Sequence, residues 1–329
     1  MRACVLEREG EALRLRERPG LAPAAGELHL AVLACAVCRT DLHLIDGELA
    51  GTTLPRVPGH EIVGRVLALG AGVKGWQVGD RAGVPWLAWT CGECEPCRRG
   101  EENLCTRAKF TGQHVDGGFA TEAIADARFA VPLPEHYSDE QAAPLLCAGL
   151  IGWRALKAAG PAPRLGLYGF GAAAHLVAQL AHARAQECFA FVRPGDAAAA
   201  DFARSLGAVW AGGSDERPPQ SLDAAIIFAP VGALVPQALR AVRPGGTVIC
   251  AGIHMSDIPA FPYQILWGER VLRSVANLTR RDAREFFEVA ARTRLHVSTV
   301  RYALADANQA VSDLRAGRIS GTAVLDCLG

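Results

Sequence analysis

The sequence predicts an α/β protein of two domains: a mainly-β part, then a doubly wound parallel sheet. Three observations carry the prediction. The chain has 329 residues, more than a single core usually spans. Its first part reads as short strands broken by Gly and Pro. From residue 165 onward, short apolar strands alternate with helices, the pattern of a parallel sheet covered on both faces.

Taken in order, the opening residues 1–10 are charged and strand-like, and 12–17, 27–35, 61–70 and 119–125 read as strands between turn residues. Ser138 and Gln141 have capping-box spacing, so a helix is expected from there through the apolar stretch ending at 159. Strands are then expected at 165–168, 188–192, 222–229 and 246–251, with helices at 172–184, 197–206 and 235–242 between them. After Thr279 come a helix at 281–292, a strand at 299–304, a helix at 305–316 and a closing strand at 322–326.

Lys plus Arg number 34 and Asp plus Glu also 34, with no block of like charge. That balance argues against a nucleic-acid or membrane-surface partner. The first residues do not form a secretory signal and no apolar run reaches spanning length, so a cytoplasmic protein is expected. Eleven cysteines, an odd count without a signal peptide, fit metal binding or free thiols better than a disulfide framework.

Gly169-Phe170-Gly171-Ala172-Ala173-Ala174 follows the first apolar strand of the second part and opens a helix. In a G-x-G-x-x-A turn, Gly169 permits the tight bend, Gly171 lets the backbone approach a pyrophosphate, and Ala174 keeps helix against strand. The helix N-terminus, from Ala172, adds amide donors and positive dipole. No acidic residue stands at the tip of the second strand; the chain there reads Val192-Arg193-Pro194. Arg193 is either a solvated surface residue or a partner for a ribose 2′-phosphate.

Cys91, Cys94, Cys97 and Cys105 lie in a short loop with Gly92, Pro96 and Gly100. Four thiolates so spaced can close a tetrahedral zinc shell with no place for water, a structural site. A second set is scattered: Cys38, His60, Glu61 and Cys147. Spacing alone leaves open whether these form a catalytic metal site, since the fold must first bring them together, and Cys147 on its own reads as core.

With these motifs in hand, the chain resembles the zinc-containing medium-chain alcohol dehydrogenases over essentially its whole length. The matching features run in the same order: C-x-T-D-x-H from Cys38, G-H-E around His60, the four-cysteine lobe, Cys147, and the glycine turn. The resemblance implies a GroES-like catalytic domain at 1–150, completed by 288–329, and a Rossmann domain at 151–287. It implies two zinc ions per chain. The catalytic one would be held by Cys38, His60 and Cys147, the ligand set given for alcohol dehydrogenase among known zinc enzymes. Glu61 would be a nearby or alternating ligand, and Asp41 would orient His60.

The implied reaction is reversible hydride transfer between a small alcohol and NAD or NADP, with Thr40 and His43 passing the alcohol proton outward through the cofactor ribose. The resemblance also implies that Arg39 grips the cofactor pyrophosphate, and that Ala251, Gly252 and Ile253 border the nicotinamide. Leu49, Trp86 and Leu87 would line the substrate cleft, and a homodimer or homotetramer is expected. Three departures stand out. Leu49 replaces the Trp of relatives that favour the smallest alcohols, Thr322 stands where many carry a pyrophosphate-binding Arg, and Arg193 replaces the acidic residue of NAD-specific members.

Two rival readings follow from the same residues. A zinc-independent quinone or enoyl reductase shares the fold but generally lacks both ligand sets. A structural or nucleic-acid-binding zinc protein would suit the lobe, but not the neutral charge and full cofactor domain.

Overall fold

A computed structural model describes residues 1–328. The chain divides into two compact units: Met1–Cys147 with Asn277–Arg292 and Val297–Gly329, and Ala148–Ala276 with Thr293–His296. The chain thus rejoins the first unit at Asn277, earlier than the expected return at 288.

The first unit is organised around the strand Glu27–Val37. Buried and part-exposed residues alternate along it from Glu27 to Ala34, because successive strand side chains point to opposite faces. Leu28, Leu30 and Val32 are thereby sunk in the core, each fully buried aliphatic contributing about 1.5–3 kcal/mol relative to exposure. The strand pairs antiparallel with Ile62–Leu69, Glu122–Asp126 and Thr322–Asp326. The last strand of the chain therefore closes the same sheet that Glu27–Val37 opens, with Thr299–Ala303 parallel beside it. Gly118 is needed here: a Cβ would stand 2.4 Å from Ile62 Cγ1 and 2.9 Å from Cys35 Sγ.

The second unit holds six strands in the order Ala208–Gly213, Glu187–Val192, Arg164–Tyr168, Leu222–Ile227, Val242–Cys250, Val271–Ser274. All neighbours are parallel. The order runs outward in both directions from the strand that precedes the glycine turn, which is the doubly wound arrangement expected from the sequence. Helices Ala148–Ala159 and Ala172–His182 pack closely where Gly152 meets Val177, a Cβ at 152 lying 2.8 Å from Val177 Cγ2. Tyr168 and Phe191 stack with ring centroids 3.9 Å apart.

Two edge strands lie outside the sequence expectations, Ala208–Gly213 and Val271–Ser274. Val209 is 58% exposed and Val271 46%, so neither edge is buried on both faces as the central strands are, and the apolar run at 208–211 is too short to stand out. The continuous helix expected through 159 is also corrected. The capping box at Ser138 and Gln141 forms, but the helix Asp139–Ala142 passes into the tighter turn Ala143–Leu146. Pro144 lies in that turn without an N–H to continue the ladder. Cys147 then takes a non-helical backbone, φ −126° and ψ −68°, before Ala148–Ala159 begins. Among the described residues no helix is long and apolar enough to cross a membrane.

Candidate active site

Cys38 caps the helix Arg39–Ile45. Its thiol accepts from the Thr40 amide at 3.3 Å, and the Asp41 carboxylate accepts from the Cys38 amide at 2.9 Å. This reciprocal cap fixes the Cys38 side chain and puts the thiol at the positive end of the helix. Asp41 has a second task. Its other oxygen accepts from the Gly59 amide at 3.2 Å and lies 3.3 Å from His60 Nδ1.

With Nδ1 turned to Asp41, His60 presents Nε2 inward, 3.2 Å from Cys38 Sγ and 3.9 Å from Glu61 Oε1. Cys147, delivered by the break in the helix, completes the group. The donor atoms of Cys38, His60, Glu61 and Cys147 all lie within 4.8 Å of one another. His60 and Glu61 are each 1% exposed, and Glu61 Oε2 is buried without a hydrogen bond.

The electrostatics ask for a cation. Hydrogen bonding with Cys147, helped by His60 and Thr40, outweighs burial and holds the Cys38 thiol well below its ordinary range. The same bond and burial push Cys147 well up. Burial raises Glu61 strongly, as does the charge on Cys38. His60 is raised although burial alone would lower it, because Cys38 and Asp41 favour a proton there. Two half-buried thiols, one of them held low, a buried imidazole nitrogen and an orphan carboxylate oxygen form a donor set suited to zinc, which takes Cys, His and carboxylate ligands in tetrahedral array. The residues fit the ion.

Cys91, Cys94, Cys97 and Cys105 also bring their sulfurs within 4.8 Å of one another. Cys105 lies 3.5 Å from Cys91, and Cys97 lies 3.9 Å from it. The Cys94 amide donates to Cys91 Sγ and the Arg107 amide to Cys105 Sγ. Backbone amides at Glu93 and Cys94 lower Cys91 to about 5, whereas burial pushes Cys97 up to about 12. Four sulfurs and no other donor make a closed set. The lobe is anchored by Glu102, which accepts from the Arg280 backbone amide at 2.7 Å and from its guanidinium at 2.6–3.0 Å. No sequence signal pointed to that pair, whose members lie 178 residues apart.

Thr40 is buried beside Cys38, and His43 Nδ1 is paired with Glu48. Arg39 is exposed at the start of the same helix. Leu49 packs part-buried against the core of the first unit, and the Trp86 ring lies 5.9 Å from that of His60. Leu87 is 0% exposed, so it has no surface to offer a substrate.

In the second unit Gly169 has φ +84°, and a Cβ there would sit 2.7 Å from that of Ala229. At Gly171 a Cβ would meet nothing within 4 Å. The N-terminus of Ala172–His182 therefore faces open space across a residue without a side chain, and Ala174 is fully buried against the sheet. An anionic group can approach those amides. Arg193 is exposed just past Val192, the last residue of its strand. Ala251, Gly252 and Ile253 follow the strand Val242–Cys250, and the Ala251 amide still donates to Ile227 O at 2.8 Å.

Comparison with known proteins agrees with this picture. The family profile of the alcohol dehydrogenase GroES-like domain matches residues 24–135. A probable alcohol dehydrogenase of Mycobacterium tuberculosis is 49% identical over 311 residues, covering 92% of this chain and 89% of that one. An alcohol dehydrogenase of Geobacillus stearothermophilus is 35% identical, covering 99% and 98%. Among solved structures, a cinnamyl alcohol dehydrogenase of Sorghum bicolor superposes with a TM-score of 0.89 at 25% identity, covering 100% of this chain and 98% of that one.

Proposed function

The chain belongs to the zinc-containing medium-chain alcohol dehydrogenases, and from that premise we propose how its residues divide the work. It is an enzyme of reversible hydride transfer between a primary or secondary alcohol, with its aldehyde or ketone, and NAD or NADP. The observation that carries this reading is the convergence of Cys38, His60, Glu61 and Cys147, drawn from three separate stretches of chain, with donor atoms all within 4.8 Å of one another. When bound, zinc supplies Lewis acidity that brings an alcohol hydroxyl toward ionisation near neutral pH, and the dinucleotide supplies the hydride acceptor.

Cys38, His60 and Cys147 would hold the catalytic ion with one position open to substrate, and Glu61 is the standby donor. Asp41 fixes the His60 tautomer. Thr40 Oγ1 would accept the hydrogen bond of the alcohol hydroxyl and, as it gains that proton, pass its own hydroxyl proton on by way of the cofactor ribose to His43, which releases one to solvent. Cys91, Cys94, Cys97 and Cys105 hold the second, structural ion. In the cofactor domain Gly169, Gly171, Ala172 and Ala174 form the pyrophosphate turn, with Ala251, Gly252 and Ile253 on the nicotinamide side.

Arg193 meets the 2′-phosphate, so NADP is accepted alongside NAD. With Leu49 in place of a large aromatic, alcohols longer than ethanol are the better substrates. The active form is a cytoplasmic homodimer or homotetramer. The test is alcohol-dependent reduction of both dinucleotides, measured before chelation, after it and after zinc is restored. Activity that survives complete removal of zinc would overturn the reading.

A further inference from the structure

We propose that Asp215 is a specificity-determining residue for the cofactor. It supplies, from the neighbouring strand, the carboxylate that the second strand of the cofactor sheet lacks, and so holds the balance between NAD and NADP. The inference rests on the functional reading above and concerns only the second unit.

In a doubly wound sheet the dinucleotide lies beyond the carboxyl ends of the strands. The pyrophosphate sits on the helix after the first strand, and the adenosine ribose lies at the tip of the second. Here the first strand is Arg164–Tyr168, and the glycine turn after it is tied to the second by the Gly169 amide, which donates to Phe191 O at 2.9 Å. The second strand, Glu187–Val192, ends on a buried valine that can neither accept from a ribose 2′-hydroxyl nor repel a 2′-phosphate. Arg193 follows, exposed.

The other carboxylates nearby are committed. Glu187 stands at the opposite end of the strand. Asp196 accepts from the Ala199 amide at 3.0 Å and caps the helix Ala197–Ser205, and Asp201 pairs with Arg204. Glu216 accepts from the Gly213 amide at 2.6 Å while its own amide donates to Gly213 O at 3.0 Å, which closes a tight turn over 213–216. Asp215, inside that turn, is exposed, and among the described residues its carboxylate has no hydrogen-bond or ion-pair partner. The Arg193 guanidinium has none either.

The strand register carries this turn to the ribose end. Val192 pairs with Gly213, and the next amide, that of Ser214, donates to Val192 O at 2.9 Å. The two chains therefore leave the sheet side by side, Arg193-Pro194 from one and Ser214-Asp215 from the other. Asp215 Oδ1 folds over Gly213 into the space a Cβ would fill, and a Cβ at that point would be 3.4 Å from Pro194 Cα. The Trp210 ring lies against Gly212 and 5.0 Å from the Phe191 ring, so the tip of Ala208–Gly213 is packed onto its neighbour. An unpaired cation and an unpaired anion thus flank the strand tip. Arg193 attracts a 2′-phosphate, whereas Asp215 accepts from a 2′-hydroxyl and opposes the phosphate.

The experiment is equilibrium binding of NAD and of NADP to the zinc-loaded protein without alcohol, by titration calorimetry, on wild type, Asp215→Asn and Asp215→Glu. The melting transition is followed in parallel. Asp215→Asn should tighten NADP and loosen NAD, each about three- to tenfold, and the ratio of kcat/KM for the two cofactors should move the same way. Salt screens exposed charges, so the gain for NADP should shrink as sodium chloride is raised. Asp215→Glu, which keeps the charge, should restore most of the wild-type ratio.

Unchanged affinities in Asp215→Asn, a shift of the same sign for both cofactors, a gain that salt leaves untouched, or an equal shift in Asp215→Glu overturns the proposal while the dehydrogenase reading stands. Failure of wild type to bind either dinucleotide overturns both.

Discussion

Replacing Asp41 with Asn keeps shape and removes one charge at a place where three donors converge. Asp41 accepts from the Cys38 amide, the Gly59 amide and His60 Nδ1, and it is 2% exposed. The single oxygen of Asn can keep Gly59 and His60, but its NH2 group then points at the Cys38 amide. Two donors face each other in a site without water access, a cost of about 1–3 kcal/mol in stability. The effect on the metal is separate. Losing the carboxylate that makes the His60 ring more basic should weaken zinc there about ten- to a hundredfold, equivalent to roughly 1.4–2.7 kcal/mol.

Competition against a metal-sensitive dye, reading the more weakly held of two ions per chain, measures the second effect. Urea unfolding of the zinc-saturated protein measures the first. Asp41→Asn protein that folds and holds both ions as tightly as wild type would refute the reasoning, because Asp41 would then be doing nothing for His60.

Four further outcomes are expected. Cys97→Ser should lower stability and release one zinc per chain, visible by elemental analysis and thermal unfolding. Thr40→Ala should cut turnover severely with the fold retained, and His43→Gln about ten- to a hundredfold, since water or buffer partly replaces a surface base. Arg193→Ala should weaken NADP and leave NAD nearly unchanged; equal losses in steady-state kinetics would show that Arg193 touches neither. The Glu102 carboxyl is pulled below its ordinary value by Arg280, whose bonds outweigh the burial that raises it. The pair therefore stabilises the fold above the unfolded glutamate value of about 4.3, and its contribution fades as pH falls through the lowered folded value. Glu102→Gln should cost about 1 kcal/mol near neutrality, discounted for the part-exposed Arg280, and should flatten that acid dependence in urea unfolding.

The central parallel strands were legible because burial on both faces demands continuous apolar runs, as in 188–192, where every residue is buried. Edge strands need no such run, so Val271–Ser274 left no trace. The glycine turn was legible for the reason it exists: only Gly relieves the approach of residue 169 to Ala229. The four-cysteine lobe could be read from spacing, because its donors come from one loop. Cys38, His60 and Cys147 could be grouped only by resemblance, since their convergence depends on the sheet and on the helix break at Cys147. That break had a visible cause in Pro144, but the apolar stretch around it read as one helix. Leu87, grouped with Trp86 by resemblance, proves to lie wholly in the core.

The most direct test of a two-zinc alcohol dehydrogenase pairs metal content with initial rate on the same samples, as the Cys38, His60 and Cys147 site is emptied by chelation and refilled. The account predicts two zinc ions per chain in the complete protein, with alcohol-dependent reduction of the dinucleotide rising in proportion to the ion returned to that site. One zinc or none per chain, or a rate indifferent to the returned ion, would contradict it.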